Sequence, residues 1–458
     1  MIDQSFSAQF LRYLDDLKPV FKDSRTRMHV GEMGVACIAA RGPKTVTSMI
    51  EFNSRHGNPE LNHDNWSSSY RVFSTGKWEV ENLSWKVLDD ALEFVGEDEP
   101  VRLAVDDTLL NKTGRRIPEC AYAKSPLSPP FQVNLVWGQR ILCVSILVRS
   151  SGTSAYRSIP VFFLSTPSVK IPAKATDEQR EKLLELQKKS KMSVAGRGLV
   201  NAIRSHLDAT GHERKKVIVC ADGSFANRAF MEMPPHDTAM VCRSRSDLSL
   251  FRPLRKEERT GKKLYGEKLQ TPEELARDAC AGTERLECGV LHQHAIISYK
   301  CMTNVRWKKV LKNQPCDVFA INGQYYRKYG RRQSTEPAYL VMTGDILSGN
   351  ENGVPVERLL EAYLLRWEIE VGFRDQKNCL GIGKAQVWNR TSVKRTPAFM
   401  SSCYAMLLLA SMKVFDDKRT EAFRPLPKWR NIAPMRPSIR DMVDLLRKEI
   451  SEGRRSAA

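Results

Sequence analysis

The chain has 458 residues, 41% of them apolar, with 72 Lys and Arg against 53 Asp and Glu for a formal charge of +19. Such a length suggests two to four structural units with hydrophobic cores, and the composition excludes general disorder. A soluble protein this basic points to a polyanionic partner, nucleic acid first. The start, Met-Ile-Asp-Gln-Ser-Phe, lacks a basic stretch followed by an apolar one, which argues against a secretion signal. Eleven cysteines without a Cys-x-x-Cys pair indicate reduced thiols and a cytoplasmic setting. Cys280, Cys288, His292 and His294 match no common zinc spacing.

Residues 1–95 read as helical, from apolar repeats in Phe6–Leu17, Met28–Arg41, Val46–Phe52 and Trp85–Phe94. With the basic and aromatic stretch Arg71–Lys77, a small DNA-binding unit fits; a helical bundle without a ligand fits nearly as well. The run Val101–Val105 predicts a strand that stops at Asp106-Asp107-Thr108. Phe131–Trp137 and Ile141–Val148 predict a hairpin turning at Gly138-Gln-Arg140. Helices are expected from Thr176 to about Lys191 and over Gly196–Leu207. Lys216–Cys220 is a strand running into Ala221-Asp222-Gly223, and Thr238–Arg243 is another. This order describes an α/β layer with a mixed sheet.

From 248 to 337 the chain becomes turn-rich and basic, with strand-like runs at Ala295–Tyr299 and Asp317–Ile321, and reads as an inserted β-rich domain. Ala338–Thr343 is an apolar strand, and one long helix is expected from about Val356 to Cys379. Within the helix Ala398–Phe415, the apolar stretch to Met412 is too short to span a bilayer comfortably, so no membrane is implied. The tail, 416–458, is basic and proline-rich. Two basic–aromatic clusters suit phosphate contact and base stacking: Arg306-Trp307-Lys308, and Tyr325, Tyr326, Arg327, Lys328 and Arg331.

The most informative run is Tyr363-Leu-Leu-Arg366-Trp-Glu-Ile-Glu370 and on to Lys377. On a continuous helix Tyr363, Arg366, Glu370 and Lys377 fall within an arc of roughly 60°. A phenol, a guanidinium, a carboxylate and an ammonium on one face can hold a metal ion and grip a phosphodiester. Asp106 and Asp222, each following a strand, could complete the site. Two Mg²⁺ ions on three carboxylates supply what phosphodiester cleavage needs: an activated water, charge neutralisation and a stabilised leaving oxygen.

With these residues the chain resembles bacterial insertion-sequence transposases of the DDE type, which have an RNase H-like core. It is similar to the subgroup marked by tyrosine, arginine, glutamate and lysine at the spacing of Tyr363, Arg366, Glu370 and Lys377. Asp106 two residues before Thr108, and Asp222 directly after an apolar strand, match the family's two aspartate motifs; Asp107 is the competing choice for the first. The resemblance implies an RNase H-like mixed sheet flanked by helices, with an inserted β-rich domain and a helical N-terminal domain. By it, 1–95 would bind DNA ends, 96–247 and 338–415 would form the catalytic core, 248–337 the insertion and 416–458 a basic tail.

The resemblance further implies that Asp106, Asp222 and Glu370 ligate Mg²⁺, with Mn²⁺ able to substitute. Arg366 and Lys377 would hold phosphates, Tyr363 would donate to a phosphate near the element's end, and Trp307, Tyr325, Tyr326 or Tyr329 would stack a flipped base. The implied activity is cut-and-paste transposition at the nucleoid. It acts on double-stranded DNA, the element's terminal inverted repeats and a target, with a homodimer in the complex. The alternatives are a transposase-derived regulator that binds without cutting, and a host nuclease or resolvase on the same fold.

Overall fold

The computed structural model describes residues 5–56, 66–125, 128–129, 131–151, 153, 155–169, 171–259, 261, 263–290, 293–323, 325–328, 331–430 and 434–455. Five helices come first: α1 (Phe6–Asp16), α2 (Ser24–Ala39), α3 (Val46–His56), α4 (Trp66–Ser74) and α5 (Val80–Leu92). Four strands follow: β1 (Val101–Asn111), β2 (Cys120–Lys124), β3 (Leu135–Arg149) and β4 (Tyr156–Ser165). Next are α6 (Asp177–Lys189), α7 (Met192–Ala209), β5 (Val217–Ala221), α8 (Arg228–Met231), β6 (Thr238–Arg243) and β7 (Leu250–Phe251). Then come α9 (Pro272–Arg277), β8 (Glu284–Val290), β9 (Gln293–Trp307), β10 (Pro315–Ile321), β11 (Tyr325–Lys328), β12 (Arg331–Ser334) and β13 (Ala338–Gly344). The chain ends with α10 (Val356–Leu365), α11 (Trp367–Asn378), α12 (Arg390–Phe415) and α13 (Ile439–Arg455).

These elements form two compact units. The first comprises Met1–Gly96, Asp107–Ser190 and Glu368–Ala458; the second comprises Glu97–Asp106 and Lys191–Trp367. Strand β1 therefore contributes its first half to one and its second half to the other.

In the first unit β3 pairs with β1, β2 and β4, and α5 and α12 pack on β4. Helix α12 is the centre of this core, since α1, α2, α4 and α5 all lie against it. Phe6 meets Phe415 with ring centroids 5.6 Å apart, and Phe73 meets Phe399 at 5.5 Å. The N-terminal helices thus bury their apolar faces on a helix some 300 residues downstream. By length and composition α12 is apolar enough to cross a membrane, yet 83% of its most apolar window is buried inside the protein.

The expected hairpin at Gly138-Gln-Arg140 is absent; β3 runs straight through it. A Cβ at Gly138 would lie 2.7 Å from the Leu110 carbonyl oxygen, so this glycine marks a close approach of β3 to β1. The actual partner, β4, contains Pro160, which ordinarily argues against a central strand. The β3–β4 register shifts between Val144 and Ser145, opposite Pro160, and the bulge accommodates the missing amide. The basic C-terminal segment contains helix α13. Its buried Ile439, Met442, Val443 and Leu446 nonetheless follow a helical period.

In the second unit the hydrogen-bonded order is β1, β5, β6, β13, β10, β9 and β7, with β8 also on β9. β1–β5 and β5–β6 are parallel, whereas β6–β13, β13–β10 and β10–β9 are antiparallel. The segment expected as an insertion supplies β7 to β12, and β7, β8, β9 and β10 join this same sheet through β13. Leu359, Leu360 and Ala362 of α10 pack on Ile218, Val241, Leu340 and Met342. The mixed sheet flanked by helices is the RNase H-like fold that the sequence led us to expect.

Candidate active site

The aspartates are placed by strand register. β1 and β5 run parallel with Val105 opposite Ala221, so the next residues, Asp106 and Asp222, stand side by side. Neighbouring strands are about 4.8 Å apart, so the backbones of the two aspartates run close together. β1 does not stop at Asp106 as expected but continues to Asn111; only its pairing with β5 ends there. Asp222 leaves β5 and caps a short turn, accepting from the Ser224 amide at 2.9 Å and from its hydroxyl at 2.6 Å.

Asp106 accepts a bond from Arg366 Nη1 at 2.9 Å, and the two side chains are only 14% and 12% exposed. The arginine expected to grip DNA therefore neutralises an aspartate expected to bind metal. Tyr363 completes the group, with the Arg366 guanidinium 5.9 Å from its ring centre. Burial raises the Tyr363 pKa above the ordinary tyrosine value, while the positive charges of Arg366 and Arg243 act against the rise. Burial likewise pushes the Cys220 thiol on β5 up to about 12 against the fields of Arg366 and Arg102. Arg366 is thus the cation in direct contact with the pair, through Asp106.

In the first unit lie the two remaining members of the signature. The long helix expected over 356–379 is divided: α10 ends at Leu365 and α11 begins at Trp367. Arg366 between them keeps helical angles, but its amide bonds to the Tyr363 carbonyl three residues back at 3.1 Å, a tightened turn. Tyr363 and Arg366 therefore belong to the end of α10, and Glu370 and Lys377 to α11. Seven residues apart on one helix, Glu370 and Lys377 share a face.

Asp107 follows Asp106 on β1 and so points to the opposite side of the strand. Arg140 grips it with two bonds of 2.8 and 3.0 Å. Burial lowers the Lys377 pKa, and the charge of Asp107 opposes that shift. The two cations of the signature consequently attend different aspartates, Arg366 at Asp106 and Lys377 at Asp107.

Of the other expected contacts, Trp307 is corrected. It is 8% exposed at the end of β9 and belongs to the core, so it cannot stack on a base as it stands. Arg306 is half-buried and donates to Asn304 and Asn313, while exposed Lys308 lies 5.1 Å over the Phe251 ring. Tyr325, Tyr326, Arg327 and Lys328 form β11, and Arg331 opens β12, with Lys328 opposite Arg331. Tyr329 and His292 lie outside the described residues. Glu368, which the sequence reading passed over, is buried and held by Arg436 at 2.8 Å; nothing in the spacing of the chain signals this pair.

A hard divalent cation is suited by all-oxygen ligands, and Asp106, Asp222 and Glu370 offer only carboxylate oxygens. Among the described residues no three His, Cys, Asp or Glu side chains are gathered into a ready metal cluster. The donor chemistry suits such an ion, and Arg366 is paired with one of these carboxylates, Asp106.

An RNase H-like sheet with adjacent aspartates on parallel strands defines a nuclease class of protein. The DDE superfamily endonuclease family matches residues 17–312, more than half of the chain, and the protein belongs to that family. The matched span contains Asp106 and Asp222 and ends before the Tyr363–Lys377 run. Members of the family generally use divalent metal ions, and DNA is their substrate. No curated protein matches the chain.

Proposed function

We propose that this endonuclease is a cut-and-paste DNA transposase: it nicks the ends of an element by hydrolysis and joins the freed 3′-OH to target DNA. The observation that carries the reading is the β1–β5 register, which sets Asp106 beside Asp222 in a chain that also has the Tyr363, Arg366, Glu370, Lys377 spacing. Asp106, Asp222 and Glu370 would hold Mg²⁺, with Mn²⁺ able to substitute. The bound metal supplies charge neutralisation at phosphorus and lowers the pKa of the attacking water.

The rest falls to the protein's own side chains. Arg366 neutralises Asp106, and were a divalent ion to hold that carboxylate, the guanidinium would suit a phosphate by its bidentate geometry. Lys377 adds a point charge and keeps its proton more readily with Asp107 nearby. Tyr363, half-buried and with its pKa raised, is a hydrogen-bond donor rather than a phenolate. The terminal inverted repeats, the homodimer and the nucleoid setting belong to this same reading.

Cleavage of end DNA should require Mg²⁺ or Mn²⁺, with Ca²⁺ allowing binding without turnover, since its looser coordination does not fix the in-line geometry. Adding a pre-cut 3′-OH end and a plasmid separates transposase from nuclease: strand transfer supports the proposal. Cutting without joining favours the nuclease, and binding without either favours the regulator. Efficient cutting in EDTA would refute the metal mechanism.

A further inference from the structure

Helix α11 has two polar faces. Glu370 and Lys377 share one. Glu368, Gly372 and Asp375, at offsets of four and seven residues, share another, and Glu368 lies about 200° around the helix from Glu370. The second face is the anchored one. Arg436, in the segment between α12 and α13, holds the 5%-exposed Glu368 with Nη2 bonds of 2.8 and 3.1 Å. The same guanidinium donates through Nη1 to the Tyr156 carbonyl at 2.5 Å, so it bridges α11 to the start of β4.

The neighbouring residue repeats the device. Arg157 donates to the Pro437 carbonyl at 2.7 Å and to both oxygens of Asp417 at 2.8 to 3.1 Å. Asp417 is 1% exposed and follows α12 with φ of +53°, after Asp416 at +52°. Two successive non-glycine residues in the left-handed region are strained, and the buried ion pair is what holds Asp417 there. The Tyr404 hydroxyl of α12 lies 3.9 Å from where a Cβ on Gly372 would be, so this face of α11 is turned toward α12. A carboxylate such as Glu368 is buried at a cost that only a paired, hydrogen-bonded partner offsets, and the partner fixes its direction.

We propose that Arg436 is a positioning residue for the proposed metal ligand Glu370: by clamping Glu368 it sets the rotation of α11 and aims the carboxylate on the opposite face. The C-terminal segment is then part of the nuclease apparatus rather than a passive basic tail. The inference rests on the reading of Glu370 as a metal ligand, and its test must keep the two apart.

In the full-length chain, Mn²⁺ affinity would be measured by electron paramagnetic resonance for wild type, Glu370→Gln, Arg436→Met, Arg436→Lys and Glu368→Gln. Amide exchange over 367–378 and thermal melting would accompany each. Arg436→Met should weaken Mn²⁺ binding by about tenfold or more, the effect usual for losing an outer partner of a metal ligand. It should also speed exchange in α11 while the protein still melts cooperatively, and Arg436→Lys should recover part of the loss. Should Arg436→Met fail to fold, Glu368→Gln, which keeps one bond to Arg436, is expected to show the same pattern more weakly. A folded variant, Arg436→Met or failing that Glu368→Gln, with wild-type Mn²⁺ affinity and α11 protection would overturn the inference if Glu370→Gln loses the metal. If Glu370→Gln binds Mn²⁺ as wild type does, the metal reading itself falls, and this inference with it.

Discussion

The aspartate pair of the second unit and helix α11 of the first are held by opposite means. Asp106 and Asp222 take their places from backbone hydrogen bonds between two parallel strands, a scaffold that no single side chain can unmake. Glu370 rides on a helix held by a side-chain clamp, Arg436 on Glu368, beside a second buried pair, Arg157 on Asp417, each joining residues distant in the chain. A ligand set by register should tolerate substitution around it; one set by clamps should fail when a remote arginine is changed. The first unit is accordingly where substitutions far from the carboxylates should matter most.

The largest effect expected is on stability. Arg157→Met leaves Asp417 buried without its counter-charge and should cost about 3–5 kcal/mol, whereas the double change Arg157→Met with Asp417→Leu should recover much of it. Urea melts of the single and double variants check this. A single variant within 1 kcal/mol of wild type would show that the clamp does not hold the first unit.

Next come the carboxylates themselves. Asp222→Asn and Glu370→Gln remove a charged oxygen of the proposed site with little change in shape. A metal stabilises the transition state by several kcal/mol, so cleavage should fall on the order of 10²–10³-fold with melting nearly unchanged. Equal losses at both would mean that register and clamp deliver equally necessary ligands; full activity in either would remove that residue from the site.

A smaller effect tests the clamp in the second unit. Glu99 bonds to Arg102 at 2.6 Å and Arg358 at 2.8 Å, tying β1's lead-in to α10. Burial raises its pKa, but the bonds from Arg358 and Arg102 prevail and hold it down to about 2, below the ordinary carboxylate value. A depressed folded pKa contributes stability that is fully present above about 4.5 and lost as the pH falls through about 2. Roughly 1–3 kcal/mol should disappear over that window after allowing for solvent screening. Glu99→Gln should flatten the acid limb of the melting-temperature curve, and an unchanged limb would show the pair to be idle.

The smallest effect separates the adjacent aspartates. The Arg140–Asp107 pair is 43% and 22% exposed, so Asp107→Asn should cost under about 1 kcal/mol and leave most cleavage intact. Asp106→Asn should abolish cleavage. The reverse pattern would move the first ligand to Asp107, where Lys377 already lies within the carboxylate's field.

Truncation is a poor test of where DNA ends are recognised. Residues 1–95 cover α12, and removing them would expose Phe399 and Phe415 rather than delete a free-standing domain. Point substitutions on exposed α3 and α4 residues, read as a change in end preference by fluorescence anisotropy, address the question without stripping the core.

Several features were determined by the sequence alone. Short apolar runs such as Val217–Ala221, Thr238–Arg243 and Ala338–Gly344 form strands, as their brevity and β-branched content favour. Thr176 and Gln179 cap α6 reciprocally, as local chemistry demands. The spacing of the four signature residues, and the aspartates after apolar runs, were equally open to inspection.

What only the tertiary structure decided depends on partners far along the chain. Gly138 is a contact and not a turn because the Leu110 carbonyl arrives beside it. Pro160 sits in a strand because the pairing of β4 with β3 slips by one residue beside it. Arg366 pairs with Asp106 across 260 residues, Arg436 with Glu368 across 68, and Trp307 is buried at the end of β9, where Leu250 of β7 pairs with it. Local propensity cannot report such pairs, since each exists only where two distant segments have already been brought together and desolvated; the sequence supplies the charges, and the fold chooses which of them meet.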